Sequence, residues 1–404
     1  MPTALINTDV PVTHTPNVHK RRYVPDDKAI LAAQHCEAAR LAIEQWPGYE
    51  PTPLISLDGI AKSAGVASVL LKDEAPRFGL GSFKALGGAY AVSKILMSHL
   101  QQKLGHPVTL NDLSSGEHSA LSNEIAVSCA TDGNHGRSVA WGAQQFGCPC
   151  IIYIHSEVSE GRKSAIEHFG ASVIRVEGNY DDSVRIADEQ AKLHNRIVVS
   201  DTSYPGYTQI PADVMRGYTV LADEAFEQMN GVVPTHVFLQ GGVGGFAAAI
   251  TARIRDHFTE QQPRIVVVEP DQAACINNSI AKGEPVAVHG ELATIMAGLA
   301  CGEVSLIAFD VLLRCIDDVL VIPDESAIAT MQLLASGSAG DQPLVSGESG
   351  VTGLAGFALA SGITSLSGAL GLDSNSRVLI ISTEGATDPV VYEALVGRAA
   401  SEIA

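Results

Sequence analysis

The sequence predicts an α/β protein built from two doubly wound, mostly parallel sheets, with a smaller domain inserted in a larger one. Three observations carry that expectation. Short β-branched segments alternate with helix-length segments from Ile125 to Ser200, and again from Pro211 to Glu269. This is the pattern of parallel βαβ units with right-handed crossovers. Two glycine-bearing stretches, Gly79 to Gly88 and Gly241 to Gly245, lie where a strand pattern gives way to a helix pattern. Glycine there lets other groups approach the backbone closely. The composition, 404 residues with 46% hydrophobic, 18% charged and 38 glycines, suits a compact soluble protein of two domains.

Each element follows from local chemistry. Residues before Asp26 are polar and proline-bearing and read as a loose arm. Asp26 and Asp27 then cap a helix to Gln45, with Ile30, Leu31, Ala33 and Leu41 for its apolar face. Tyr49 to Leu54 is an extended entry stiffened by Pro51 and Pro53. Ser68 to Glu74 reads as a strand turning polar, Ala89 to Leu104 as a helix, and Gly105 to Asn123 as a surface insertion. Strands Ile125 to Cys129, Cys150 to Ile154, Ser172 to Val176 and Ile197 to Ser200 then interleave with three helices. Those helices are Asn134 to Phe146, Gly161 to Phe169 and Tyr180 to His194. After Pro211 come a helix to Met229, strand Thr235 to Leu239, helix Gly245 to Phe258 and strand Ile265 to Glu269. Strand Val378 to Ser382 closes the series. The large domain is accordingly read as residues 1–88 with 208–404, and the small one as 89–207.

A net charge of −19 argues against nucleic acid or an anionic membrane surface as partner. The most apolar run, Val351 to Leu366, is interrupted by Gly, Ser and Thr and falls short of a membrane span. Met1 to Asn17 shows no charged segment leading into an apolar core, so no secretory signal is read. The seven cysteines include no C-x-x-C pair, and Cys148-Pro149-Cys150 has the wrong spacing for zinc. Cys275 and Cys301 flank an irregular stretch, with unpaired thiols preferred to a disulfide. A reduced, cytoplasmic protein is expected.

The chemistry gathers around Lys84. It stands at a loop-to-helix junction in Ser82-Phe83-Lys84, with Arg77 the only other charge from Arg77 to Tyr90. Apolar surroundings favour the neutral, nucleophilic amine, the form that condenses with an aldehyde. The competing reading is a solvated loop lysine. Gly241 to Gly245 follows a strand and opens a helix, so its backbone N–H groups and the helix dipole can hold a dianion without a cationic side chain. It is no P-loop, and its glycine spacing fails the dinucleotide fingerprint. A purely structural glycine turn is the alternative.

Ser82-Phe83-Lys84 resembles the lysine motif of the fold-type-II pyridoxal-phosphate enzymes, the threonine dehydratase and tryptophan synthase β-subunit group. Three further segments are similar to that family in the same order. They are Thr131-Asp132-Gly133-Asn134-His135-Gly136, Gly241-Gly242-Val243-Gly244-Gly245 and Ser382-Thr383-Glu384-Gly385. The likeness runs from Tyr49 to Ala386. Within the group, Asp132 stands where relatives usually carry Ser or Ala, and this wording is most similar to the diaminopropionate ammonia-lyases.

The resemblance implies pyridoxal 5′-phosphate as cofactor, carried by Lys84, with its phosphate on Gly241, Gly242, Val243, Gly244 and Gly245. It implies that Asn134 hydrogen-bonds the phenolic oxygen and that the loop amides of Thr131, Asp132, Gly133 and Asn134 hold the substrate carboxylate. A hydroxyl of Ser382 or Thr383 would face the pyridine nitrogen, and His135 would be structural. A carboxylate in an anion-binding loop is electrostatically costly. Asp132 therefore suits a substrate that also brings an ammonium, as 2,3-diaminopropionate does. It would pair with that group or take the Cα proton; a helix N-cap is the rival role. Asp201 is a second acid of the same kind, weighed equally against ordinary strand-end chemistry. The reading is β-elimination of ammonia from 2,3-diaminopropionate, D and L, by a homodimer like its relatives. A serine/threonine dehydratase of the same fold is the rival, and a catalytically silent ligand-binding module a distant one.

Overall fold

The computed structural model describes residues 3–21, 30–131, 133–178 and 180–403. These form two compact units, one of Met1–Ala33, Glu50–Phe83 and Leu221–Ala404, the other of Gln34–Tyr49 and Lys84–Val220. The first three strands are β1 (Thr13–Pro16), β2 (Leu54–Ser56) and β3 (Ser68–Asp73). Next come β4 (Val127–Ala130), β5 (Cys150–Ile154), β6 (Ser172–Arg175) and β7 (Ile197–Val198). The last four are β8 (His236–Gln240), β9 (Arg264–Pro270), β10 (Asp318–Ile322) and β11 (Arg377–Ser382).

The larger unit holds a seven-stranded sheet in the order β1-β10-β9-β8-β11-β3-β2. Its five inner strands are parallel, and the edges β1 and β2 are antiparallel. The inner strands carry apolar runs through their middles, as parallel strands covered on both faces require. Helix Thr352–Gly362 lies against them, buried over nearly its whole length. A Cβ on Gly356 would come within 2.6 Å of Val268 Cγ2, and one on Gly353 within 2.9 Å of the Phe238 carbonyl. Only glycine permits that approach. The apolar run that begins at Val351 is thus core, and among the described residues no single helix is long and apolar enough to cross a membrane.

The supposed loose arm contains β1, which pairs with β10, and His14 lies 2.7 Å from Asp318. A short polar strand ending in Pro16 suits a sheet edge, where one side of the ladder goes unpaired. Asp26 and Asp27 lie outside the described residues; the helix expected there is described over Ala33–Ile43.

The second unit has an all-parallel four-stranded sheet, ordered β6-β5-β4-β7. Helices Lys84–Leu104 and Asn134–Phe146 pack through small residues. A Cβ on Gly142 would sit 2.6 Å from Ala89 Cα, and one on Gly88 2.0 Å from Ser138 Oγ. The unit also claims Gln34–Tyr49, which the boundary at residue 88 had put in the larger domain. The cause is Trp46, whose ring stands edge-on to Trp141 and Phe146 with both centroids 5.8 Å away. The stretch read as an insertion holds two short helices, Leu110–Ser114 and Ser119–Ser122, the first opened by a Thr109/Asp112 capping box.

Arg77 serves the larger unit. It grips Glu74 and Glu224 through both forks of its guanidinium, with four N···O distances of 2.7 to 2.8 Å. Lys72, fully buried, donates to Glu224 at 2.7 Å, to the Thr52 carbonyl at 2.6 Å and to Gln228 at 3.0 Å. Two cations and two carboxylates thus neutralise one another away from water, which a buried charge requires.

Candidate active site

In the four-stranded sheet β4 and β7 are neighbours, so the segments leaving their carboxyl ends meet. Thr131 follows β4, buried, and its Oγ1 accepts from the Gly133 and Gly136 amides at 3.0 Å each. That hydroxyl serves the start of helix Asn134–Phe146, whose N-cap position is Gly133. Asp132 lies outside the described residues. Asn134 is the first residue of the helix and half-buried.

The next residue, His135, is buried and its Nε2 is 2.8 Å from the Val199 carbonyl. A carbonyl only accepts, so Nε2 carries the proton and Nδ1 the lone pair when the ring is neutral. Nδ1 in turn stands 3.9 Å from Asp201 Oδ2. Burial foremost holds the ring below the ordinary histidine range, against the pull of Asp201.

The strand expected to run to Ser200 stops at Val198, and Asp201 lies on the loop beyond it. Lys84 Nζ donates to Asp201 Oδ2 at 2.6 Å. The lysine opens helix Lys84–Leu104, so that helix begins five residues before its expected start at Ala89. Nζ also lies 5.8 Å from the centre of the Tyr218 ring. Lys84 is therefore an ion-paired lysine, a correction to the uncharged surroundings read from its neighbours in sequence. Burial works to raise the Asp201 carboxyl, but Lys84 and then His135 outweigh it and hold the carboxyl below its usual range. The Tyr218 phenol is pushed up, chiefly by burial, and stays protonated. Lysine, carboxylate, imidazole and phenol thus meet where a proton can be held on nitrogen and its charge matched.

In the larger unit β8, β11 and β3 lie side by side and parallel, so their carboxyl ends form one edge. Ligands favour such an edge. Beyond β8 the loop turns at Gly242 (φ +67°) and Gly244 (φ +89°), a conformation that side chains resist. The Val243 carbonyl accepts from the Ser305 amide at 2.9 Å. Gly244 takes the N-cap position of the 13-residue helix Gly245–His257, and among the described residues no side chain caps it. The amides of a helix N-terminus suit an anion. β11 ends at Ser382, whose hydroxyl is 2.9 Å from that of Ser346, and the buried Thr383 follows.

β3 leads to Phe83, the residue before Lys84. The Phe83 amide donates to the Thr383 carbonyl at 3.0 Å, and its ring stands edge-on to Phe246 at 4.8 Å. Phe83 is thereby keyed, within the larger unit, to the chain beyond β11 and to the helix that Gly245 opens.

The sequence matches the family described as "Pyridoxal-phosphate dependent enzyme" over residues 45–384. The chain belongs to that family. Its cofactor is pyridoxal 5′-phosphate. It is similar to diaminopropionate ammonia-lyase of Escherichia coli strain K12, 41% identical over 91% of this chain and 92% of that one. It is 40% identical to the Salmonella typhimurium ammonia-lyase of the same name, over 88% of this chain and 90% of that one. The crystal structure of the Escherichia coli enzyme in complex with an aminoacrylate-PLP azomethine reaction intermediate is 38% identical with a TM-score of 0.87. It covers 96% of this chain and 97% of its own.

The residues present fit the cofactor of this pyridoxal-phosphate enzyme. A glycine loop opening a helix suits a phosphate, neutral hydroxyls end the neighbouring strand, and a lysine follows the turn from the next. Sequence reading missed Tyr218, Phe246 and the capping role of Thr131. Tyr218 and Phe246 stand on helices as core residues do, and the one available signal for Thr131 was its place between a strand and a glycine.

Proposed function

We propose that this chain is a cytoplasmic, homodimeric carbon–nitrogen lyase that eliminates ammonia from 2,3-diaminopropionate of either hand. With one water consumed, the products are pyruvate and two molecules of ammonia. The observation that carries the reading is a lysine ion-paired at 2.6 Å with Asp201, in a chain 41% identical to a diaminopropionate ammonia-lyase. When bound, the cofactor supplies an electron sink for negative charge at Cα.

The protein's own groups have the following parts. Lys84 anchors the cofactor aldehyde and, once released from it, takes the Cα proton on one face. Asp201 balances the ammonium that results. Asp132 pairs with the substrate's β-ammonium and takes the Cα proton on the opposite face, which admits the mirror-image substrate. The backbone at Thr131, Asp132, Gly133 and Asn134 holds the substrate carboxylate, and the Asn134 side chain the cofactor's phenolic oxygen. Gly241, Gly242, Val243, Gly244 and Gly245 hold the phosphate. With the Ser382 hydroxyl engaged by Ser346, Thr383 is assigned to the pyridine nitrogen. Ammonia departs from Cβ, and the 2-aminoacrylate released hydrolyses in water.

Pyruvate release from D- and L-diaminopropionate, serine and threonine tests the proposal, together with Asp132→Asn. The variant keeps cofactor binding and loses turnover of the D isomer by about 100- to 10,000-fold, the usual cost of removing a general base. The L isomer loses less, reflecting only weaker ammonium recognition. Preference for serine or threonine, with Asp132→Asn without effect, would establish the dehydratase instead. Sedimentation of the holoenzyme checks the dimer.

A further inference from the structure

We propose that Glu269 is a positioning residue for the glycine loop, and that its ionisation weakens the loop's hold on a phosphate. The inference rests on reading Gly241–Gly245 as the phosphate site. Glu269 lies in β9, next to β8, and is fully buried. A Cβ on Gly241 would come within 2.5 Å of Glu269 Cγ, so the acid's stem is the surface on which the loop rests. Its carboxyl accepts from the Ile276 amide at 3.0 Å and the Asn277 amide at 2.7 Å, in the first turn of helix Cys275–Lys282. Cys275 completes the bridge, its Sγ 3.8 Å from Glu269 Oε1 and 3.6 Å from the Gly242 carbonyl. One carboxyl thus joins the loop to the following helix.

Among the described residues no cation pairs with Glu269. Cys275 is the titratable group that faces it, with Cys301 beyond, and the Cys275 thiol is itself pushed up, chiefly by burial. Its own strand precedes it with the apolar run Ile265–Val268, the neighbouring β10 sets Val321 opposite it, and on the β8 side it meets Gly241. Burial foremost pushes the Glu269 carboxyl up to about 8, against its two amide donors and Cys275. Below that pH the loop rests on a neutral acid. Above it an uncompensated negative charge lies under the amides that hold a dianion, and the two repel in a low-dielectric setting.

The test uses the full chain stripped of cofactor and titrated with pyridoxine 5′-phosphate, which has no aldehyde to react with Lys84. From pH 7 to 9.5 the wild-type affinity should fall about tenfold, the equivalent of one unit of coupling. Glu269→Gln should show no such fall, and Glu269→Asp, which keeps a carboxyl, should retain it. Calorimetry of the wild type at pH 8 in two buffers of different ionisation enthalpy should show net proton uptake, a reading that needs no variant. A flat wild-type profile, an unchanged fall in Glu269→Gln, or no proton uptake would overturn the role of Glu269. Gly242→Val and Gly244→Val separate the two readings. If both bind the probe as the wild type does, the loop is not the phosphate site and both inferences fall. If they lose it while Glu269→Gln keeps the wild-type profile, only the role of Glu269 fails.

Discussion

Two lysines close together in the sequence, Lys72 and Lys84, each meet a carboxylate, and the resemblance ends there. Lys72 is fully buried, and its partner Glu224 is held again by both forks of Arg77. Every donor of the ammonium has an acceptor: Glu224, the Thr52 carbonyl and Gln228. Among the described residues Lys84 pairs with the carboxylate of Asp201, and the two side chains keep 18% and 15% of their exposure. A fully satisfied, buried cluster cannot give up a member without stranding a charge. A partly exposed pair can, because water and ligands reach it. The difference separates a lysine that holds the fold from one that can take part in chemistry.

The largest effect should come from exchanging the two lysines' fates. Lys84→Ala should lose at least the 100- to 10,000-fold, roughly, that a missing general base costs, since it also loses the cofactor anchor. Borohydride reduction of the wild-type holoenzyme should fix a pyridoxyl label on the Lys84 peptide. Lys72→Met should do the opposite, costing about 3–5 kcal/mol of stability for a broken buried pair while leaving turnover per folded molecule near normal. Urea unfolding and active-site titration measure both. A label on Lys72 or Lys94 would dissolve the distinction.

Exchanging the acids is the next test. Glu224→Gln should cost a similar few kcal/mol, because Lys72 and Arg77 then share too little negative charge. Asp201→Asn should instead lower turnover and alter the acid side of the stability profile. The folded Asp201 carboxyl lies below its ordinary value of about 3.9. Between the two values the unfolded chain binds the extra proton, so stability rises with pH there. The contribution is complete above about pH 4 and is lost as pH falls through the folded value. Wild-type stability should therefore fall more steeply below that pH than that of Asp201→Asn. Equal slopes would mean that Lys84 does not depress Asp201.

Legibility in the sequence follows the range of the interaction. The alternating strands that were read and the four glycine- or lysine-bearing motifs are local patterns. Those strands stand close to where they were read, whereas β2 and the inner strand β10 of the larger sheet were not read as strands. The Lys84–Asp201 pair joins residues 117 apart, and Lys72–Glu224 residues 152 apart; no periodicity announces either. β1 was hidden because an edge strand need not be apolar. The start of helix Lys84–Leu104 was hidden by Gly87 and Gly88, which look like breakers. They are required by packing, since a Cβ on Gly87 would fall 2.4 Å from the Tyr218 ring.

The smallest effect concerns Thr131, which belongs to the proposed substrate loop yet does structural work. Its hydroxyl accepts from two amides, Gly133 and Gly136, and so holds the turn that leads into Asn134. Thr131→Val keeps the shape and removes the acceptor, stranding two donors near the start of a helix. The loss should be about 1 kcal/mol, the usual worth of a capping side chain. Thr131→Ser should restore most of it, because the oxygen returns. The kinetic readout decides what the hydroxyl is for. If it only holds the turn, Thr131→Val should lose stability with KM for both diaminopropionate isomers changed little. If KM rises severalfold while stability stays put, the hydroxyl touches substrate, and Thr131 moves from the group that holds the fold to the group that does the chemistry.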